Sequence, residues 1–257
     1  MSKDITPILA SWDFDPDEMQ VRIVTGDDHR DKIQLRIDLG LIQMELAGRP
    51  DGKRPEGFES VLDMLEQRAL TTEAGGEEFA LDSAACMSLM HEGVQYYHRY
   101  RTAFHLQRYD LVARDTARNL RLFAFVVKYA TRQRDKLQFD QFRPFVTMMH
   151  TRATAHQALA RGDHHAALEL IDEGTQQIRK FLHEYEQSDR EAECAELGFL
   201  LRWRREVEHE RPVGPVERLE QQLELAVALE EFEEAARIRD QILRLRGSET
   251  TAGRDPA

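Results

Sequence analysis

Val216-Glu-Arg-Leu219-Glu-Gln-Gln-Leu223-Glu-Leu-Ala226-Val227-Ala-Leu-Glu-Glu231-Phe232-Glu-Glu-Ala235-Ala236-Arg-Ile238-Arg239-Asp240-Gln-Ile242-Leu-Arg-Leu245 is the most sharply patterned stretch of this chain. Leu219, Leu223, Ala226 and Val227 recur at helical spacing, and so do Ala235, Ile238, Ile242 and Leu245. Two such stripes joined by a short acidic run predict two helices folded back on each other. Phe232 is placed to plug the end of that hairpin, while Ala226, Ala235 and Ala236 let the helices approach closely. A hairpin of about thirty residues buries too little apolar surface to offset its ordering entropy alone. Its apolar side is therefore expected to dock on the rest of the chain or on a second hairpin. Arg237, Arg239, Arg244 and Arg246 against Glu230, Glu231, Glu233 and Glu234 would set orientation at the rim more than affinity.

The borders of this stretch are chemical. Arg211-Pro212-Val-Gly214-Pro215 holds two prolines and a glycine, so 211–215 is expected to be a linker. The hairpin then spans 216–246, and 247–257, without large apolar side chains, is expected to be a disordered tail. Upstream, 58–210 reads as helical. Helices are expected near Ser83–Gln107, Asp110–Arg134, Arg143–Arg161, His164–Glu186 and Arg190–His209. A shorter one carries Phe58, Leu62 and Leu65 until Thr71-Thr72-Glu73-Ala74-Gly75-Gly76 breaks it. Two helix pairs resemble tetratricopeptide repeat hairpins. From Ala155 through Ala158 and Ala167 to Gly174, small residues sit where that repeat brings its helices together, with Gly162-Asp163 at the turn. Tyr97, Tyr100, Phe104, Ala113, Ala117 and Leu120 give a looser copy around Arg108-Tyr109. The turns at Arg108 and Gly162 lie 54 residues apart, against about 34 in a regular array. The fold class expected is mainly α: a tetratricopeptide-like helical bundle, with an ordinary antiparallel bundle as the plain alternative.

Residues 1–57 read as a small β element and a loop. Val21 and Ile23, then Ile33, Leu35, Ile37 and Leu39, alternate with polar residues around a turn at Gly26-Asp27-Asp28. After Gly40 the apolar parity shifts to Ile42, Met44 and Leu46, which suits a bulge or a tight bend before a third strand. Leu35, Leu39, Ile42 and Leu46 also fit a helix, and the central Gly40 argues against it. Gly48 to Gly57 packs three glycines and two prolines into ten residues and must be a loop.

Composition narrows the classes. Lys plus Arg number 35 against 47 Asp plus Glu, a formal charge of -12. That balance disfavours a sequence-independent grip on phosphate backbones, so no direct nucleic-acid partner is expected. The two cysteines, Cys86 and Cys194, build neither a disulfide framework nor a CxxC zinc site. The start shows no apolar signal stretch and no run of about 18 apolar residues occurs. A cytoplasmic protein with no membrane partner is the expectation.

The 216–246 stretch resembles the UVR motif, the helical hairpin of the excision-repair proteins UvrB and UvrC and of Clp-type unfoldases and their adaptors. The likeness rests on the Leu219, Leu223, Ala226 spacing, then Glu231-Phe232-Glu-Glu-Ala235-Ala236, then Arg239-Asp240 and Ile242. It implies a contact module whose partner is another protein, UVR-bearing or of a UvrB/UvrC or Clp-type system, or a second copy forming a homodimer. It implies partner-binding roles for Leu219, Leu223, Ala226, Val227, Phe232, Ala235, Ala236, Arg239, Asp240 and Ile242. The catalytic companions of the family are missing: Gly48 to Lys53 is one residue short of a phosphate loop, and no paired CxxC module occurs. Lys32 to Gly52 is similar to the opening of bacterial proteins that end in such a hairpin.

Remaining candidates are weighed on spacing. His91, His98 and His105 lie about two turns apart, too far to share one metal, and His164 and His165 are adjacent and diverge. Asp13, Asp15 and Asp17 begin like a calcium loop, but Glu18 replaces the turn glycine and Val24 the closing glutamate. No metal and no cofactor are expected. Arg49, Lys53 and Arg54 form a candidate anion or partner loop, with a solvated connection as the plain alternative. The expectation is a non-enzymatic adaptor or scaffold, with a repair accessory acting through UvrB/UvrC as one alternative and an enzyme sited in the N-terminal β region as another.

Overall fold

The structure, a computed structural model, describes residues 4–211 and 215–252. It divides into two compact units, 1–208 and 209–257. The first is mainly helical, with a small sheet near its start.

A one-turn helix, α1 (Thr6–Leu9), precedes strands β1 (Val21–Thr25), β2 (Asp31–Ile37) and β3 (Gly40–Glu45). They form an antiparallel meander in the order β1-β2-β3, pairing Ile23 with Ile33 and Ile33 with Met44. Of the two readings of Gly40, the tight bend is the one found. Ile37 pairs with Gly40, so Asp38 and Leu39 make a two-residue turn and Leu39 is exposed, not a strand residue. Ile33 and Met44 bury their side chains against the helices. The outer face carries a chain of polar side chains: the Arg22 guanidinium donates through Nε to Gln34 Oε1 (2.8 Å), and Gln34 Nε2 donates to Gln43 Oε1 (2.8 Å).

The helices are α2 (Val61–Ala74), α3 (Ser83–His105), α4 (Tyr109–Tyr129), α5 (Gln133–Asp140), α6 (Arg143–Ala160), α7 (His164–Glu184) and α8 (Ala195–Glu210). Three expectations need correction. α2 starts after Phe58 and runs through Thr71 to Ala74, because Ser60 caps it and only Gly75-Gly76 ends it. The single helix expected over Asp110–Arg134 is two. Leu81 N donates to Tyr129 O and Thr131 N to Leu81 O, and this bridge holds Ala130 extended and stops α4. The stretch before Pro144 is therefore α5, and Ser188–Glu193 is a 3-10 turn ahead of α8.

Buried charge ties the β element to the helices. Arg99 on α3 pairs through Nε and Nη2 with Asp115 on α4 (2.6 and 2.9 Å). Its remaining nitrogen donates to the carbonyls of Glu45 and Gly48, and Arg114 donates to that of Leu46. Glu92 on α3, fully buried, accepts from Val61 N (2.7 Å) and Leu62 N (3.1 Å) at the start of α2, where unpaired donors favour an anion. Arg118 and Arg49 neutralise it.

Two apolar clusters result. One joins the sheet to α3, α4, α6, α7 and α8; the other holds α2, α5, the first half of α3 and the second half of α4. α3/α4 and α6/α7 are helical hairpins with one kind of turn. At the end of α3, Arg108 N donates to Ala103 O and Gln107 N to Phe104 O; at the end of α6, Asp163 N donates to Ala158 O and Gly162 N to Leu159 O. Both are Schellman turns, which need a left-handed residue. Gly162 (φ 77°) adopts that easily; Gln107 (φ 56°) does so against its Cβ. Ala155, Ala158, Ala167 and Gly174 are buried in the α6/α7 crossing. This is compatible with the tetratricopeptide-like reading.

A Cβ built at Gly174 would stand 2.8 Å from Thr151 Cγ2 and 2.9 Å from its Cβ. Gly174→Ala should therefore lower stability by about 1–3 kcal/mol through overpacking. Gln107→Gly, at an exposed turn, should raise it by about 1 kcal/mol. Thermal unfolding followed by circular dichroism reads both signs, and a stabilised Gly174→Ala would contradict the close crossing.

Candidate protein-docking hairpin

The second unit is built on α9 (Pro215–Ala228) and α10 (Phe232–Ala252). α10 thus continues past Arg246, where a tail was expected, and residues 253–257 lie outside those described, as do 212–214 of the expected linker. α9 closes as α3 and α6 do: Glu231 N donates to Ala226 O (2.8 Å), Glu230 N to Val227 O (3.1 Å), and Glu230 is left-handed (φ 59°). This turn reverses the chain within three residues and sets the register of the two helices.

The seam consists of Ala226, Ala235, Ile238 and Ile242, all buried, with Leu219 and Leu223 packed against them. Ala226 and Ala235 bring the backbones close, as their size predicts. The side chain of Leu245, expected in the same stripe, lies outside the described residues.

The expected partner-binding residues separate into two sets. Leu219, Leu223, Ala226, Ala235 and Ile242 belong to the hairpin's own seam. Val227, Phe232, Ala236, Arg239 and Asp240 are exposed. Phe232 does not plug the hairpin: it is 69% exposed. The turn ends at Glu231, so Phe232 is the first residue of α10. With Ala236, Arg239 and Leu243 at four-, seven- and eleven-residue offsets, it forms a stripe about 100° round the helix from the seam. Ala236 lies on that stripe and not at the helix contact. Val227 follows Ala226 by one residue, turns away from the seam and is 52% exposed.

Leu243, 61% exposed, completes the stripe, and Leu225 and Leu229 are exposed on α9. The sequence reading passed over these three because it followed the seam period alone. Glu230, Glu231, Glu233 and Glu234 surround Phe232 with carboxylates in a shallow concavity that Arg237 borders. Arg237 reaches Glu234 (3.4 Å) and Arg239 reaches Asp240 (3.5 Å), so both basic residues have acidic neighbours within the hairpin.

Residues 215–248 match the UVR family model, the UvrB/uvrC motif. No curated protein and no solved structure matches the chain. The UVR motif is a non-catalytic interaction motif with a connection to DNA repair, so the chemistry of this hairpin is contact. In the UVR hairpin of this chain, a small internal seam leaves an aromatic and several leucines turned outward.

The other candidates have local partners. Arg49 lies 3.2 Å from Asp51 and 3.5 Å from Glu92, and Arg54 is 2.5 Å from Glu59, so both guanidiniums of the Gly48–Gly57 loop are matched by carboxylates; Lys53 is exposed. His165 pairs with Glu169 (3.4 Å). His91 and His105 are exposed, and burial lowers the pKa of half-buried His98, with Arg101 adding to the effect. Burial pushes the Cys86 thiol up to about 11, away from thiolate chemistry at neutral pH, and raises that of Cys194. Among the described residues no group of three His, Cys, Asp or Glu side chains is placed to hold a metal, and no helix is long and apolar enough to cross a membrane.

The two sets of residues should separate by experiment. Ile238→Ala removes a seam side chain and should lose about 2–5 kcal/mol, opening the hairpin. Phe232→Ala removes an exposed one and should leave it closed. Hydrogen exchange of the amides in α9 and α10 within the intact chain checks this; equal loss of protection in both variants would contradict the assignment of Phe232 to an outer face.

Proposed function

We propose that this chain is a non-enzymatic adaptor whose UVR hairpin docks a protein partner through the stripe Phe232, Ala236, Arg239 and Leu243. The supporting observation is the exposure of Phe232 and Leu243 beside a seam that the hairpin already fills for itself. A large aromatic held outward on a helix is the residue type that dominates binding energy once a partner desolvates it. The surrounding glutamates select a partner whose apolar pocket is rimmed by cations, which governs specificity and encounter rate more than affinity. Joining the hairpin to a helical body that makes a contact of its own would raise the effective concentration of the second contact.

The UVR match itself favours one particular setting, an accessory role in nucleotide excision repair exercised through UvrB or UvrC rather than through DNA. The acidic balance of the chain, 47 Asp plus Glu against 35 Lys plus Arg, agrees with an indirect role.

Affinity purification from cells with the intact tagged chain and with a Phe232→Ala, Leu243→Ala double variant tests the reading. The wild type should retain a defined protein that the variant loses by about 30-fold, the scale of one interface hot spot. Retention of the same proteins by both would overturn it. Recovery of UvrB or UvrC supports the repair setting, and recovery of Clp components removes it.

A further inference from the structure

The first unit carries a cavity of about 620 Å³ walled by α3, α4, α5, α6 and the start of α8, a size in the range of small-molecule sites. Its walls are mostly apolar, with six Phe and Tyr side chains among the fourteen lining residues, and Val94 and Phe142 remain 43% and 48% exposed at the surface. Two features make it more than an apolar groove. Tyr100, 1% exposed overall, lines this cavity, and its hydroxyl makes no hydrogen bond to a described residue. Glu196, from the start of α8, is the one carboxylate among the lining residues and forms no ion pair with a described residue; its only polar contact is a weak one from Cys194 Sγ at 3.6 Å. No Lys or Arg is among the lining residues, and burial favours the neutral imidazole of His98; Arg190, which shares a neighbouring concavity with Glu196, is paired with Glu193.

We propose that this cavity binds a small amphipathic cation, with its aromatic or alkyl body between Val94, Phe142 and Phe145, a polar atom on the Tyr100 hydroxyl and its ammonium toward Glu196. An ammonium gains from the carboxylate and from nearby ring faces, while an anion of the same shape meets an uncompensated charge. The site is independent of the hairpin and would stand if the docking reading failed.

Two fluorescent probes with one body and opposite ends test it on the intact chain. Dansylcadaverine ends in an ammonium, and dansyl-aminohexanoate ends in a carboxylate. The wild type should bind dansylcadaverine with enhanced, blue-shifted emission and at least about 10-fold more tightly than the carboxylate probe, the scale of one favourable charge contact. Glu196→Gln should erase that preference and Glu196→Lys should invert it. Val94→Arg, at the exposed mouth, should abolish binding of the cation with unchanged circular dichroism. Equal affinity for the two probes, no binding of either, or an unaltered preference in Glu196→Lys would overturn the proposal.

Discussion

A two-helix hairpin can turn only one side of each helix inward, and here that inward side is two isoleucines and two alanines flanked by two leucines. This geometric limit governs the second unit. The turn at Glu230 fixes which residues meet, and once Ala235, Ile238 and Ile242 face α9, Phe232 and Leu243 are carried to another side of α10. Exposing a phenylalanine in this way follows from helix register. Moving it inward would require shifting α10 by one residue and breaking the alanine contact that lets the helices close.

The first unit solves a different problem. A small sheet needs an apolar face or a helix packed against it to be stable. Arg99 and Arg114 reach across to the carbonyls of Glu45, Leu46 and Gly48, and Glu92 holds the start of α2. Pairing Arg99 with Asp115 and Glu92 with Arg118 and Arg49 neutralises charges that would otherwise be prohibitive to bury, so the network specifies how strands and helices meet more than it adds stability. Arg49 of the Gly48–Gly57 loop is part of this fastening, whereas Arg54 pairs locally with Glu59.

Periodicity made the helices, the meander and the UVR seam legible, because buried stripes write themselves into sequence at intervals of two or of three and four. What it concealed were features set by single contacts at a distance. The break at Ala130 depends on a bridge to Leu81, nearly fifty residues earlier, and nothing around Ala130 marks it. Gly40 looked like a centre of irregularity and is the first residue of β3, because Asp38 and Leu39 alone make the two-residue connection. Phe232 resembled an end plug since aromatics are usually interior; its spacing to Ala236, Arg239 and Leu243 is the signal that places it outside. Tyr100 and Glu196 come from helices nearly a hundred residues apart, and their shared cavity exists only once α3, α4, α5, α6 and α8 are packed.

The hairpin claim is most directly tested by placing the photo-crosslinker p-benzoylphenylalanine at position 232 of the full chain and irradiating cells that express it. The account predicts a covalent adduct with one partner protein that is lost when the crosslinker is moved to Gln222, an exposed position on α9. An adduct that maps to residues 1–208 of the same chain, or the absence of any adduct from position 232, would contradict it.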